Sequence, residues 1–348
     1  MKAYSLENIN NLKYKEIDKP NCLDGWVLVK VKAAGICSSD IPRIFKKGTY
    51  HFPTIPGHEF SGIVDEVGAG VDRNLLGKSV GVFPLIPCKE CEQCKNKHYE
   101  MCSNYDYIGS RRDGGFSEFV AVPEWNLIEL PSDISFTDAA MLEPLAVALH
   151  AMKQGGDISG KKVAIIGTGM IGFAAAQWAN KMGAQMVTVI GRSHKKEELA
   201  KNVNVDYTTL DNVNCEYDVV LEAVGSNSSI DLAINIVKAA GTLIVMGNPE
   251  GNIVLKQNTY WRILRKQLHL VGTWNSAYEN GKKSDWSEVI EALHHNEIKV
   301  DNLISHIFQQ EKLVEGLELM REHKEPYCKV MTVWNEEHSC NSEITSIE

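Results

Sequence analysis

At 348 residues the chain exceeds what one hydrophobic core organises and suits two domains. Its 44% hydrophobic and 23% charged residues exclude a disordered or fibrous polymer, and a net charge of −9 disfavours nucleic acid and anionic membrane as partners. No apolar run approaches the roughly 18–20 residues that span a bilayer, and Met1-Lys2-Ala3-Tyr4-Ser5 opens no apolar signal core. The expectation is a cytoplasmic protein that handles a small molecule.

Residues 26–34 alternate like a strand, and further strands are predicted at Phe60–Val67, Ser79–Pro84 and Phe116–Val122. Gly62, Gly68 and Gly70 supply turns and helical spacing is scarce, so this half reads as a β-rich barrel. Asp138–Gln154 then has the apolar spacing of a helix and runs into Gly155-Gly156-Asp157, a linker. From Lys162 the pattern alternates: strand Val163–Ile166, helix 170–182, strand Val187–Ile190, helix 194–202, strand Tyr217–Glu222, helix 228–239, strands Thr242–Met246 and Leu268–Gly272. That rhythm specifies a doubly wound parallel sheet covered on both faces.

After residue 285 come helix Trp286–His295, strand His306–Phe308, helix Leu313–His323 and strand Cys328–Trp334, which should return to the first domain. The division is therefore 1–152 for a β-rich, barrel-like domain, 153–284 for a parallel α/β domain and 285–334 for the return. A disordered tail at 335–348 carries Glu336, Glu337, Glu343 and Glu348 without Lys or Arg.

Nine cysteines in a reducing compartment are thiols or metal ligands before they are disulfides. Cys88, Cys91, Cys94 and Cys102 form C-x2-C-x2-C-x7-C. Four thiolates fill a tetrahedral zinc shell and leave no open position, the mark of a structural site. An iron–sulfur cluster is the alternative, but the ferredoxin pattern spaces its fourth cysteine more closely and follows it with proline, whereas Ser103 follows Cys102. Cys22, Cys215, Cys328 and Cys340 belong to no motif and are read as incidental thiols.

Cys37 and His58 are ligand types for a second, borderline-soft ion, and Glu59 or Glu143 can complete a three-ligand site with one position open. Taken singly, such a cysteine is a small hydrophobe and such a histidine a hydrogen-bonded structural residue. Gly167-Thr168-Gly169-Met170-Ile171-Gly172 follows the strand Val163-Ala164-Ile165-Ile166 and opens an alanine-rich helix. In that context the motif binds a dinucleotide: Gly167 turns, Gly169 admits the pyrophosphate, and Gly172 packs helix on strand. The second strand ends on Gly191-Arg192-Ser193, with Lys195 and Lys196 behind. A carboxylate at Gly191 would repel a 2′-phosphate, while glycine makes room and arginine binds it, so NADP(H) is favoured over NAD(H). The competing view is a solvated helix start.

The run Gly57-His58-Glu59-x2-Gly62-x5-Gly68-x2-Val71, with the cysteine array and glycine motif in that order, resembles the zinc-dependent alcohol dehydrogenases of the medium-chain dehydrogenase/reductase superfamily. The resemblance covers about residues 1–334 and implies a GroES-like catalytic domain on a Rossmann domain. It further implies two zinc ions per chain, with Cys37, His58 and Glu143 as catalytic ligands and Glu59 as a carboxylate that enters the shell during exchange. Ser39 matches the hydroxyl that relays the substrate proton. Pro42 stands where many members keep the relay's outer histidine, leaving His51 or water as the exit.

Ile41-Pro42-Arg43-Ile44-Phe45-Lys46 and the segment from Tyr105 to Phe116 resemble the galactitol-1-phosphate 5-dehydrogenase group more narrowly. That implies a polyol phosphate oxidised at a secondary hydroxyl, or a ketose phosphate reduced. The group typically has an acidic residue where Gly191 sits, and the departure fits an NADPH-dependent reductase of another ketose phosphate, such as sorbose 1-phosphate. Arg111 and Arg112, in a glycine-flanked loop, are candidates to clamp a substrate phosphate, or else pair with Asp113 and surface carboxylates; Arg43 is a weaker candidate. Trp274 and Asn275 should face the cleft. The alternatives are an unphosphorylated polyol or threonine-like substrate, or a non-catalytic NADP(H)-binding protein. The strand Leu268–Gly272, at a sheet edge, predicts a homodimer or homotetramer.

Overall fold

The computed structural model describes residues 1–334; the acidic tail expected at 335–348, Cys340 included, lies outside the described residues. Two sheets organise the chain. A seven-stranded sheet runs in the order Ile304–Gln309, Lys329–Val333, Trp26–Ile36, Glu59–Val67, Ser79–Val82, Leu127–Glu129, with Phe119–Pro123 pairing beside Trp26–Ile36. The last strands of the chain thus join the first sheet. Trp26–Ile36 is its axis, an eleven-residue strand rich in valine and alanine whose residues Val27, Val29, Val31, Ala34 and Ile36 enter one core with Phe60, Val64 and Val330.

The second sheet is entirely parallel, in the order Asp206–Thr209, Met186–Gly191, Lys162–Ile166, Tyr217–Glu222, Val237–Val245, His269–Gly272. Its strands are apolar on both faces. Val163 and Ile165 enter one core with Val189 and Leu221, while Ala164 and Ile166 enter another with Ile190 and Val220. Such continuous apolar runs are what a parallel sheet sandwiched between helices requires. The chain moves outward from Lys162–Ile166 first to one side and then to the other, so a crevice opens at the carboxyl ends of the central strands.

Departures from expectation are local. The helix predicted to residue 239 is Asn227–Ile236, and a strand starts at once with Val237; Ala240, at φ 57, absorbs a register irregularity there. The helix predicted over 194–202 divides into a 3-10 turn, His194–Lys196, and a short helix, Glu197–Asn202. The N-terminal hairpin Lys2–Asn8 and Asn11–Glu16, the edge strand Asp206–Thr209 and the helix Gln257–Lys266 were not predicted. The last two escape the sequence pattern because their apolar residues have little core to face: the helix buries only Thr259, and the strand reads Asp-Tyr-Thr-Thr.

Candidate active site

Strand register brings the first metal-ligand candidates together. Gly35 pairs with Glu59 and Ile36 with Val330, so the strand ends carrying Cys37, His58-Glu59 and Lys329 converge on one spot. The donor atoms of Cys37, His58 and Glu59 lie within 4.8 Å of one another. A β-carbon at position 35 would collide with the Glu59 carboxylate, so Gly35 is what lets that side chain lie flat. Glu143, in the first turn of helix Leu142–Lys153, is outside this compact trio; its Oε1 lies 3.4 Å from the Tyr107 hydroxyl.

Acidic and basic side chains are buried together here. Burial pushes the Glu143 carboxyl up to about 7, and although His58 and Lys329 draw it back, Glu59 adds to the rise. Burial also works against a charged His58, yet Asp40 and Cys37 outweigh it and hold the imidazole well above its ordinary value. His58 Nδ1 is buried without a hydrogen-bond partner, standing 3.6 Å from Asp40 Oδ1. Lys329, ion-paired with Glu59 and donating to the Ile36 carbonyl at 3.3 Å, and Arg43, 3.0 Å from Asp40, stand with His58 against Asp40, Glu59 and Glu143. A cysteine sulfur, an imidazole nitrogen and carboxylate oxygens gathered at one buried spot form the mixed S/N/O donor set that zinc takes.

Asp40 is a candidate site residue that sequence reasoning missed. It is fully buried, accepts from the Cys37 backbone N–H at 3.0 Å and faces His58. A carboxylate behind a metal-binding histidine orients the ring, and the spacing Cys37-x2-Asp40 was the available signal. Tyr107 was also missed as a site residue: its ring lies 5.8 Å from that of His58.

The four-cysteine array closes on itself. Sγ atoms of Cys88 and Cys94, and of Cys91 and Cys102, are 3.9 Å apart, far beyond a disulfide bond, and all four thiols are free. The Cys88 and Cys91 N–H groups donate to sulfur at 3.3 and 3.4 Å. Such backbone donors lower the Cys88 thiol and bring Cys91 to about 5, while burial raises Cys94 and Cys102. Four sulfurs at mutual contact suit one tetrahedral ion.

At the nucleotide motif each glycine has a measurable reason. Gly167 takes φ 128, Gly172 would drive a β-carbon into the Gly167 carbonyl, and Gly169 faces open space at the start of helix Met170–Lys181, where N–H groups favour phosphate. Met170 is buried and Ile171 half-buried beside them. The expectation that Gly191 makes room is corrected. The space a β-carbon would need there is filled by the Tyr207 hydroxyl, and Thr168 Cγ2 would lie 2.8 Å away. Arg192 and Ser193 are exposed next to it, and Lys196 donates to the Thr168 carbonyl at 2.8 Å.

Two family models cover most of the chain: the alcohol dehydrogenase GroES-like domain matches residues 23–132 and the zinc-binding dehydrogenase matches residues 171–295. The chain is 37% identical over 292 residues to galactitol 1-phosphate 5-dehydrogenase of Escherichia coli (strain K12), covering 80% of this chain and 84% of that protein. The chain belongs to the zinc-dependent alcohol dehydrogenase family. Its fold superposes on a crystal structure of galactitol-1-phosphate dehydrogenase from Escherichia coli with a TM-score of 0.89 at 33% identity, over 96% of this chain and 100% of that one. A zinc-binding dehydrogenase from Sinorhizobium meliloti 1021, solved bound to NADP, gives a TM-score of 0.85 at 27% identity over 95% and 98% of the two chains. This dehydrogenase is therefore an oxidoreductase with a GroES-like catalytic fold and a Rossmann sheet.

On the substrate side the dehydrogenase separates its two candidate arginines. Arg112 pairs with Asp106 and is exposed, rather than with Asp113, which accepts from the Ile55 N–H at 2.8 Å. Arg111 lies between the rings of Tyr50 and Tyr105, 4.4 and 4.5 Å from their centroids, and its buried Nε has no partner. His51, considered as a proton exit, bridges the Pro53 and Arg111 carbonyls at 3.0 Å through its two ring nitrogens. Ser39 is half-buried next to Cys37 and does not cap the short helix Asp40–Pro42. Trp274 and Asn275 follow the edge strand His269–Gly272 at the carboxyl end of the parallel sheet. Trp274 is 55% exposed, and Asn275, at φ 51, buries an unpartnered Nδ2.

Proposed function

We propose that this dehydrogenase interconverts a polyol phosphate and the corresponding ketose phosphate with NADP(H), in the manner of a galactitol-1-phosphate 5-dehydrogenase or a reductase of another ketose phosphate. The observation that carries the substrate class is Arg111, a planar cation held between the rings of Tyr50 and Tyr105, donating to the Tyr105 carbonyl at 2.8 Å and the Tyr50 hydroxyl at 3.4 Å and paired with no carboxylate among the described residues. The identity with a polyol-phosphate enzyme supports it. Arg192 exposed after Gly191, with no carboxylate at the strand end, supports the 2′-phosphate.

Bound zinc supplies a Lewis acid for the substrate oxygen, and the nicotinamide exchanges the hydride. The chain does the rest. Cys37, His58 and Glu143 hold the catalytic ion; Glu59, already engaged by Lys329, stands behind as the exchangeable carboxylate. Asp40 orients His58, and Ser39 takes or returns the substrate proton, which leaves through solvent because Pro42 provides no relay. Gly167, Gly169, Met170, Ile171 and Gly172 seat the pyrophosphate. Cys88, Cys91, Cys94 and Cys102 hold the structural ion, giving two per chain. Arg112 becomes a loop anchor rather than a clamp, and Trp274 and Asn275 border the nicotinamide end.

The protein is further proposed to be a homodimer or homotetramer. The edge strand His269–Gly272 leaves its outer hydrogen-bonding groups open beside exposed Tyr260, Trp261, Leu264 and Leu270, a surface that a second copy would cover. Arg111→Ala tests the main reading. KM for phosphorylated substrate should rise about tenfold or more while turnover of the free polyol is unaltered. Equal loss on both would remove the phosphate from the proposal.

A further inference from the structure

The most informative unassigned feature is Tyr207. It sits on the edge strand Asp206–Thr209, paired in register with Val189, and its side chain reaches along the neighbouring strand to the turn at 191–193. There its hydroxyl donates to the Ser193 carbonyl at 2.6 Å. The same hydroxyl fills the position that the first side-chain carbon at 191 would occupy; the ring's Cζ would lie 2.8 Å from such a carbon, and Thr168 Cγ2 equally close. Thr168 is held in turn by Lys196 through its carbonyl, at 2.8 Å. The turn is thus closed on three sides by Tyr207, Thr168 and the strand itself.

We propose that Tyr207 is the specificity-determining residue of the nucleotide site. It bars a carboxylate from position 191 and, by fixing the Ser193 carbonyl, aims Arg192 at the 2′-phosphate of the cofactor. Gly191 is then not an opening for the phosphate. It is the only residue that fits beneath the phenol. A tyrosine hydroxyl both donates and accepts, so it can keep Ser193 and still accept from a neighbouring group. Introducing an acidic residue at position 191 alone would not convert the site, because two positions form one device.

This inference rests on the NADP(H) reading, and the two are separable by binding and melting measurements on the full chain. Tyr207→Phe keeps the ring and removes the hydroxyl; NADPH affinity should fall about fivefold, with NADH changed by less than about twofold. Gly191→Asp alone should lower Tm and weaken both cofactors. In the Gly191→Asp/Tyr207→Ala double variant the added Tm loss from Asp should shrink, and NADH should bind more tightly than NADPH. Unchanged affinities in Tyr207→Phe, or the same Tm loss from Gly191→Asp in both backgrounds, would overturn the role of Tyr207. Tighter binding of NADH than NADPH by the unaltered protein would overturn the NADP(H) reading and the aiming of Arg192 with it, while the exclusion of a side chain at 191 by Tyr207 is still read from Tm.

Discussion

The two cysteine-bearing centres of this dehydrogenase are built in opposite ways. Cys88, Cys91, Cys94 and Cys102 lie on one short excursion of chain, with backbone N–H groups of the same loop turned onto their sulfurs. The centre at Cys37 has no such local frame. Its groups come from the ends of three strands and the first turn of a helix, and Lys329 reaches it from the far end of the sequence. A local centre is a matter of spacing, whereas a distributed one depends on sheet register and on a surrounding set of charges. On the proposed reading one stabilises a lobe and the other serves exchange.

Breaking the distributed centre should have the largest catalytic effect. Cys37→Ser should lower kcat/KM on the order of a thousandfold while cofactor binding and the structural zinc persist, measured by steady-state rates beside metal content. Breaking the local centre should show up as stability instead. Cys94→Ser should lower Tm by about 10 °C or more and remove one zinc equivalent, with activity surviving at low temperature. Asp40→Asn sharpens the contrast: loss of the oriented carboxylate behind His58 should cost about 10–100-fold in kcat/KM with little change in melting.

The smallest effect concerns the joint between helices Leu142–Lys153 and Asp285–His294. Asp285 is buried and accepts from His150 at 2.8 Å and Lys153 at 2.7 Å. Burial pushes its carboxyl up, but those two partners outweigh it and hold the pKa below the ordinary value. Its stabilisation is therefore complete above the unfolded-state carboxyl pKa near about 3.9 and is lost as pH falls through the lower folded-state value. Acid melting curves of Asp285→Asn should lack that limb; an identical slope would remove the joint from the account.

How much was legible in the sequence follows the same division. The cysteine array was read from its spacing and the glycine motif from the strand before it and the helix after it, and the strand ending at Gly272 was expected at the sheet edge where it lies. Cys37 and His58 were joined in one site with Glu143 or Glu59 through ligand type and family resemblance, while the register that brings them together, the pairing of Gly35 with Glu59, was not legible. Asp40 and Lys329 were passed over, since a single acid or base carries no periodic signal and acquires meaning only when buried beside a partner. Gly191 was noticed, but its cause was assigned to the cofactor. The neighbouring strand that explains it, Asp206–Thr209, is too short and polar to be recognised as one.

The central claim is the reaction itself, and initial rates test it directly. Ketose phosphates and their unphosphorylated ketoses should be offered with NADPH and with NADH to the zinc-loaded protein. The account predicts that a ketose phosphate with NADPH gives a kcat/KM at least about tenfold above the free ketose and above NADH with the same substrate. Turnover confined to unphosphorylated substrates, or no preference for NADPH, would contradict it.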